Sequence, residues 1–157
     1  MSLPAAGQRV QAALEAHGLD VRIREFPTST RTAADAAASI GCTVAQIAKS
    51  LVFRGERTGR AILVVASGAN RVDEARLGAV VQEPIGRADA AFVRERTGYA
   101  IGGVPPVAHS EPPIVVIDED LLGLEEIWAA AGTPNAVFRL TPAELVAITG
   151  GQVARIT

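Results

Sequence analysis

Ser50-Leu51-Val52-Phe53, then Arg54-Gly55-Glu56-Arg57-Thr58-Gly59-Arg60, then Ala61-Ile62-Leu63-Val64-Val65-Ala66: two short apolar runs separated by a polar, glycine-bearing loop. The runs are only a few residues long and lean on β-branched side chains, so they read as neighbouring antiparallel strands joined by that loop.

Working back toward the N-terminus, Thr43 and Gln46 have capping-box spacing for a short helix, and Thr32 with Asp35 has it for the alanine-rich stretch to Ile40. Val21-Arg22-Ile23-Arg24-Glu25-Phe26 alternates apolar and charged, the pattern of a half-exposed strand. Leu3, Ala6, Val10, Ala13 and Leu14 follow helical spacing, and Gly18 supplies a stop. Working forward, Asp73 is placed to cap a helix through Val80. A second helix is predicted from about Ala88 to Thr97, with Phe92 and Val93 inward and Gly98 ending it. Ile114–Ile117, Glu125–Ala129, Ala136–Leu140 and Val153–Ile156 are strand candidates. Thr141-Pro142-Ala143-Glu144 marks the clearest helix start, with Thr141 as cap, Pro142 at the first helical position and Glu144 completing the box. Gly150 and Gly151 then stop that helix. Strands and helices mix without strict βαβ alternation, which favours an α+β or irregular mixed-sheet domain over a doubly wound one; the expected form is α+β, a single domain with a mixed, mostly antiparallel sheet flanked by helices.

At 157 residues with no repeat or long polar linker, residues 1–157 read as a single domain. Apolar residues make up 48% and aromatic residues only 4%, so the core must rest on Ala, Val, Leu and Ile. The net charge of −2 supplies no global pull toward nucleic acid, and any RNA contact must be local. Cys42 has no cysteine partner, which fits a reducing compartment. With no basic-then-apolar leader and no apolar run approaching ~20 residues, the expectation is a soluble, cytoplasmic protein without a membrane partner.

Fourteen arginines stand against one lysine, Lys49. A lysine is a compact three-proton donor whose pKa falls readily on burial, so this position invites a functional reading. A charge snorkelling from a strand end, or an arginine-rich codon usage, explains it equally well. Tyr99-Ala100-Ile101-Gly102-Gly103-Val104-Pro105-Pro106-Val107-Ala108-His109 is the most distinctive segment. Its paired glycines permit positive φ and close backbone approach, and its prolines stiffen the residues beyond them. Such a loop can aim amide N–H groups at a carbonyl oxygen, or can simply turn the chain. His109 is a lone histidine near a turn, and His17 a helix-end dipole contact. The two histidines and Cys42 share no ligand spacing, so no metal site is read; Cys42 lacks an activating base and reads as a buried, inert thiol. No phosphate loop or dinucleotide fingerprint occurs, and no cofactor is implied. Gly132-Thr133-Pro134-Asn135 is a turn that could also line a pocket.

In order along the chain, Thr32–Ala37 through Gln46-Ile47-Ala48-Lys49-Ser50-Leu51-Val52-Phe53, Val64-Val65-Ala66-Ser67-Gly68 with Arg71-Val72-Asp73, and Gly102-Gly103-Val104-Pro105-Pro106 with His109 resemble the YbaK / prolyl-tRNA synthetase editing-domain family. The resemblance runs from roughly Thr32 to Gly151. Members are free-standing proteins or domains inserted in bacterial prolyl-tRNA synthetases, and they hydrolyse the ester joining a wrong amino acid to tRNA. The resemblance implies a catalytic set of Lys49, Gly102 and Gly103, with Lys49 beside the acceptor end or the scissile ester and the glycines holding the aminoacyl carbonyl or terminal ribose. It implies substrate contacts from Val104, Pro105, Pro106, His109, Ser67, Thr133 and Asn135. The partner would be the tRNA acceptor end, together with an aminoacyl-tRNA synthetase where one cooperates. The Val104–His109 loop and Thr133-Pro134-Asn135 depart from the best-known members, which leaves Ala, Cys, Ser and Pro esters open. A non-catalytic binding module of the same fold, and a purely structural interaction domain, are the competing readings.

Overall fold

A computed structural model describes residues 3–157. The strand pair is present as β2 (Ile47–Gly55) and β3 (Ala61–Ser67), antiparallel in a register running from Ala48 opposite Ser67 to Arg54 opposite Ala61. Every residue of β3 is buried, as expected of a central strand whose apolar run does not alternate. The remaining strands are β1 (Arg24–Glu25), β4 (Ile85–Arg87), β5 (Ile114–Asp118), β6 (Ile127–Ala130), β7 (Ala136–Leu140) and β8 (Gln152–Ala154). They assemble in the order β1-β7-β6-β2-β3-β5-β8, with β4 pairing the far end of β2. Four junctions are antiparallel (β1·β7, β2·β3, β2·β4, β6·β7) and three parallel (β2·β6, β3·β5, β5·β8). This is the mixed, mostly antiparallel sheet that the sequence predicts.

Among the described residues five helices cover the sheet: α1 (Ala5–Ala16), α2 (Ala33–Ile40), α3 (Glu74–Val81), α4 (Ala90–Thr97) and α5 (Pro142–Thr149). On one face Leu63 and Val65 of β3, Ala129 of β6 and Phe138 of β7 join Val10 and Leu14 of α1, Val93 of α4, and Leu145 and Ile148 of α5. On the other face Ile62, Val64 and Ala66 pack with Leu77 of α3, while Ala36 and Ala37 of α2 pack on Ile47, Trp128 and Val137. That second face is thus covered in two separate patches.

The caps explain the helix boundaries. Thr141 and Glu144 exchange both capping-box bonds, and Gly150 ends α5 at φ +63°. Asp73 accepts from the Ala75 and Arg76 amides at the start of α3. Thr32 accepts from the Asp35 amide. The Gln46 carboxamide returns to the Thr43 N–H, but only a single 3-10 turn (Val44–Gln46) comes after it.

Several predicted elements shift. The strand expected over Val21–Phe26 shrinks to β1 because the Gln11 side chain takes the Val21 carbonyl and the Ile23 amide, two groups a ladder would need. The helix expected from Ala88 begins at Ala90, since Asp89 turns its carboxylate onto the Phe92 amide. Phe92 itself faces outward, half-buried beneath Arg54 and Arg96; Val93 and Thr97 face the core. The expected strand at Glu125 starts at Ile127, and the last strand is Gln152–Ala154, with Ile156 fully buried beyond it. β4 had no counterpart in the sequence reading. Glu83, just before it, bonds Arg60, Thr58 and the Arg57 amide in the β2–β3 loop, so β4 is docked by long-range contacts.

Candidate functional site

β2 and β6 run side by side only where Ile47 and Ala48 meet Trp128 and Ala129. Where they part, a cavity of ≈ 270 Å³ opens. Lys49, Ser50 and Leu51 border it from β2, Ala129 and Ala130 from β6. Thr30, Arg31 and Thr32 border it with Ala33 and Ala36 of α2, and Ile101, Gly102 and Val104 come from the glycine loop. Its volume lies below the ~300–1,000 Å³ typical of drug-sized ligands and suits something the size of an amino acid.

Lys49 enters from the sheet face that α2 and α3 cover only in patches. Its Nζ donates to the Asn70 carbonyl at 2.6 Å, which leaves two ammonium protons uncommitted. Partial burial pushes its pKa below the ordinary lysine value, and the Asp118 carboxylate partly offsets that. Asp118 is almost wholly buried and accepts from the Ser67 amide and from Asn70 Nδ2, which also donates to Asp120. The turn that holds the ammonium is therefore pinned to the ends of β3 and β5.

Gly102 borders the cavity at φ +93°, a conformation that favours glycine, with the Arg31 side chain packed against its Cα. Among the described residues the Gly102 and Val104 amides have no hydrogen-bond acceptor, and both residues border the cavity. Gly103 differs. Its N–H donates to the Ala100 carbonyl, its own carbonyl accepts from Gly132, and its Cα lies against the Thr133 backbone. It closes a turn and does not border the cavity.

Of the other expected contacts, Val104 alone reaches the cavity. The Ser67 hydroxyl holds the Ala45 carbonyl and fixes the 3-10 turn on the sheet. Thr133 bonds Asn135, whose carboxamide donates to the Phe26 carbonyl; with Pro134 accepting from Thr30, this turn braces the cavity wall from behind. Pro105 is buried and accepts from His109 Nε2 at 2.6 Å, which places the ring proton on that nitrogen. Pro106 and His109 border a separate cavity of ≈ 230 Å³ with His17. Burial pushes the His109 pKa down, and the Pro105 hydrogen bond partly offsets it. Cys42 is half-buried, with its pKa raised chiefly by burial, which disfavours the reactive thiolate.

Sequence reasoning missed Arg31, Ser50 and Trp128. The Ser50 hydroxyl and the Trp128 indole N–H are buried without a partner among the described residues, a cost of ~1–3 kcal/mol each. Such groups are uncommon in native structures and call for an explanation, and a ligand in the adjoining cavity is one. The only signal for Trp128 was that it is the chain's single tryptophan.

Fold and site together define a mixed-sheet α+β domain with a lysine-walled, amino-acid-sized cavity beside a glycine loop. The chain belongs to the aminoacyl-tRNA editing domain family, whose model matches residues 28–148. It is 37% identical over 123 residues to the uncharacterised protein YwhH of Bacillus subtilis, covering 78% of each chain. It is 26% identical over 147 residues to a proposed Cys-tRNA(Pro)/Cys-tRNA(Cys) deacylase, EbsC, of Enterococcus faecalis, covering 92% of this chain and 89% of that one. The crystal structure of a proposed trans-editing enzyme for prolyl-tRNA synthetase superposes with a TM-score of 0.93 at 52% identity over 99% of both chains. No helix among the described residues is long and apolar enough to cross a membrane.

Proposed function

We propose that the protein is a trans-editing deacylase that hydrolyses the ester joining a small amino acid to the 3′ end of a mischarged tRNA. The observation that carries this is Lys49: a half-buried ammonium with two free protons, facing an amino-acid-sized cavity in a chain of the editing family. A water oxygen attacks the ester carbonyl carbon, the tetrahedral oxyanion accepts from the Gly102 and Val104 amides, and the carbon–oxygen bond to the ribose breaks. No carboxylate or imidazole borders the cavity among the described residues. The proton shed by the water therefore passes to the substrate's own groups, with the leaving ribose oxygen as its final acceptor. Lys49 orients the aminoacyl end by charge, and loss of one such preorganised donor typically costs ~10²–10³ in rate.

The alanine-rich wall (Ala33, Ala36, Ala129, Ala130) leaves room for a side chain of Ala, Cys, Ser or Pro size. One methylene is worth only ~1–3 kcal/mol, so the cavity narrows the choice, and the tRNA or a partner synthetase completes it. The test is deacylation of Ala-, Cys-, Ser- and Pro-charged tRNAs by wild type beside Lys49→Ala. Hydrolysis of one ester that vanishes in a folded Lys49→Ala supports the reading. No hydrolysis across the panel rejects it in favour of a binding module of the same fold.

A further inference from the structure

A second cavity, ≈ 450 Å³, lies on the same sheet face as Lys49 and shares Trp128 with the first. Its walls carry Arg22, Arg24 and Arg139, all exposed. Register explains the grouping. Arg139 stands opposite Trp128, Trp128 opposite Ile47, and Lys49 lies two residues on, so these side chains share one face. Arg24 stands opposite Val137, two residues before Arg139, which puts it on that face as well. The Arg24 guanidinium lies 5.4 Å from the Trp128 ring centroid and 5.1 Å from that of Phe26, which holds the fork in place. Two carboxylates share the region: Asp20 in the wall, and Glu126 at 3.5 Å from Arg139. Arg22 and Arg24 have no carboxylate partner among the described residues. In a chain of net charge −2, this puts two unpaired guanidinium groups, Arg22 and Arg24, beside a third that is held by one exposed carboxylate. Charge at the β1 sheet edge also discourages edge pairing, but that role does not require three arginines gathered at one cavity.

We propose that Arg22, Arg24 and Arg139 bind backbone phosphates of the single-stranded 3′ segment of the tRNA that leads into the Lys49 cavity. The proposal rests on the reading that the aminoacyl end reaches Lys49. Two strand spacings and two residues along β2 separate Arg139 from Lys49, about 12 Å between Cα atoms. A stacked strand at ~3.4 Å per nucleotide covers that distance in about three to four nucleotides. The arginines thus meet the phosphates just before the terminal ribose, where a grooved basic track suits single-stranded nucleic acid.

The experiment measures binding of a fluorescent, uncharged proline tRNA transcript, with and without its last four nucleotides, as a function of salt. It uses the full chain and its Arg22→Gln/Arg24→Gln/Arg139→Gln variant. With ~0.7 counterions released per single-strand phosphate, the variant's slope of log K against log salt is expected to be shallower by about 2, with weaker binding at low salt. The trimmed transcript should bind both proteins alike. Glu126→Gln, which frees Arg139, should tighten binding of the intact transcript and so controls for misfolding. Unchanged slope and affinity in the triple variant, arginine dependence that persists on the trimmed transcript, or no tRNA binding by wild type overturns the proposal. Because this readout needs no chemistry, failure of hydrolysis with arginine-dependent binding intact rejects the deacylase reading alone.

Discussion

Gly103→Ala separates a glycine that packs from Gly102, which borders the cavity. An ideal Cβ at Gly103 falls 2.8 Å from the Thr133 carbonyl carbon, 3.0 Å from its Cα and 3.1 Å from its nitrogen. All three are backbone atoms, so no rotamer change relieves them. The turn they belong to is tied down by Thr30 N–H donating to the Pro134 carbonyl at 2.6 Å and Asn135 donating to Phe26. Overpacking of this kind costs ~1–3 kcal/mol. At ~2–4 °C per kcal/mol for a chain of this size, Tm should fall by about 2–12 °C. The added methyl also pushes the turn toward Thr30, a wall of the Lys49 cavity, so weaker substrate binding should accompany the loss. Gly102→Ala is the comparison. Its Cβ meets only the flexible Arg31 side chain, and its φ of +93° adds ~1–2 kcal/mol of backbone strain. Thermal unfolding monitored by circular dichroism, with deacylation measured well below Tm, reads both. A Gly103→Ala protein with wild-type Tm would refute the packing argument.

Three further outcomes are expected. Lys49→Ala should lower deacylation kcat/KM by ~10²-fold or more while the fold persists, and Lys49→Arg should not restore it, because a planar guanidinium cannot occupy the ammonium's place on the Asn70 carbonyl; an active Lys49→Arg enzyme would count against a specific amine role. The Lys49 pKa is lower folded than unfolded, so its burial opposes folding below the folded value, and that penalty is relieved as pH rises toward 10.5. Urea titrations should accordingly show wild type gaining stability relative to Lys49→Met as pH rises into that window, and parallel curves would contradict it. Glu83 is held down to about 2 from 4.5 by Arg60, then by the Thr58 amide and hydroxyl and the Arg57 amide, with burial opposing. Its contribution is complete above pH 4.5 and is lost as pH falls toward 2, so Glu83→Gln should flatten the acid limb of the stability profile, as acid denaturation of the two proteins would show.

The parts of the fold that rest on local chemistry were legible before any coordinates. The Thr141-Pro142-Ala143-Glu144 start, the Asp73 cap and the Gly98 and Gly150 stops are settled within a few residues, because capping bonds and positive φ are short-range demands. The β2–β3 pair is equally local, since a short loop leaves antiparallel neighbours few alternatives. Lys49 was legible as an exception among arginines. Tertiary structure decided the rest. β4 depends on a carboxylate reaching back to another loop, and β1 is cut short by a side chain of the preceding helix, Gln11, folding back on it. The two glycines of one dipeptide part company because Thr133, thirty residues on, packs against Gly103 and leaves Gly102 open. His109 turns its ring to the Pro105 carbonyl and faces another cavity. Arg31, Ser50 and Trp128 meet at the site from three separate segments, the stretch before α2, β2 and β6. Register and strand order are set by which apolar faces find cover across the whole chain, and no window of sequence contains that information.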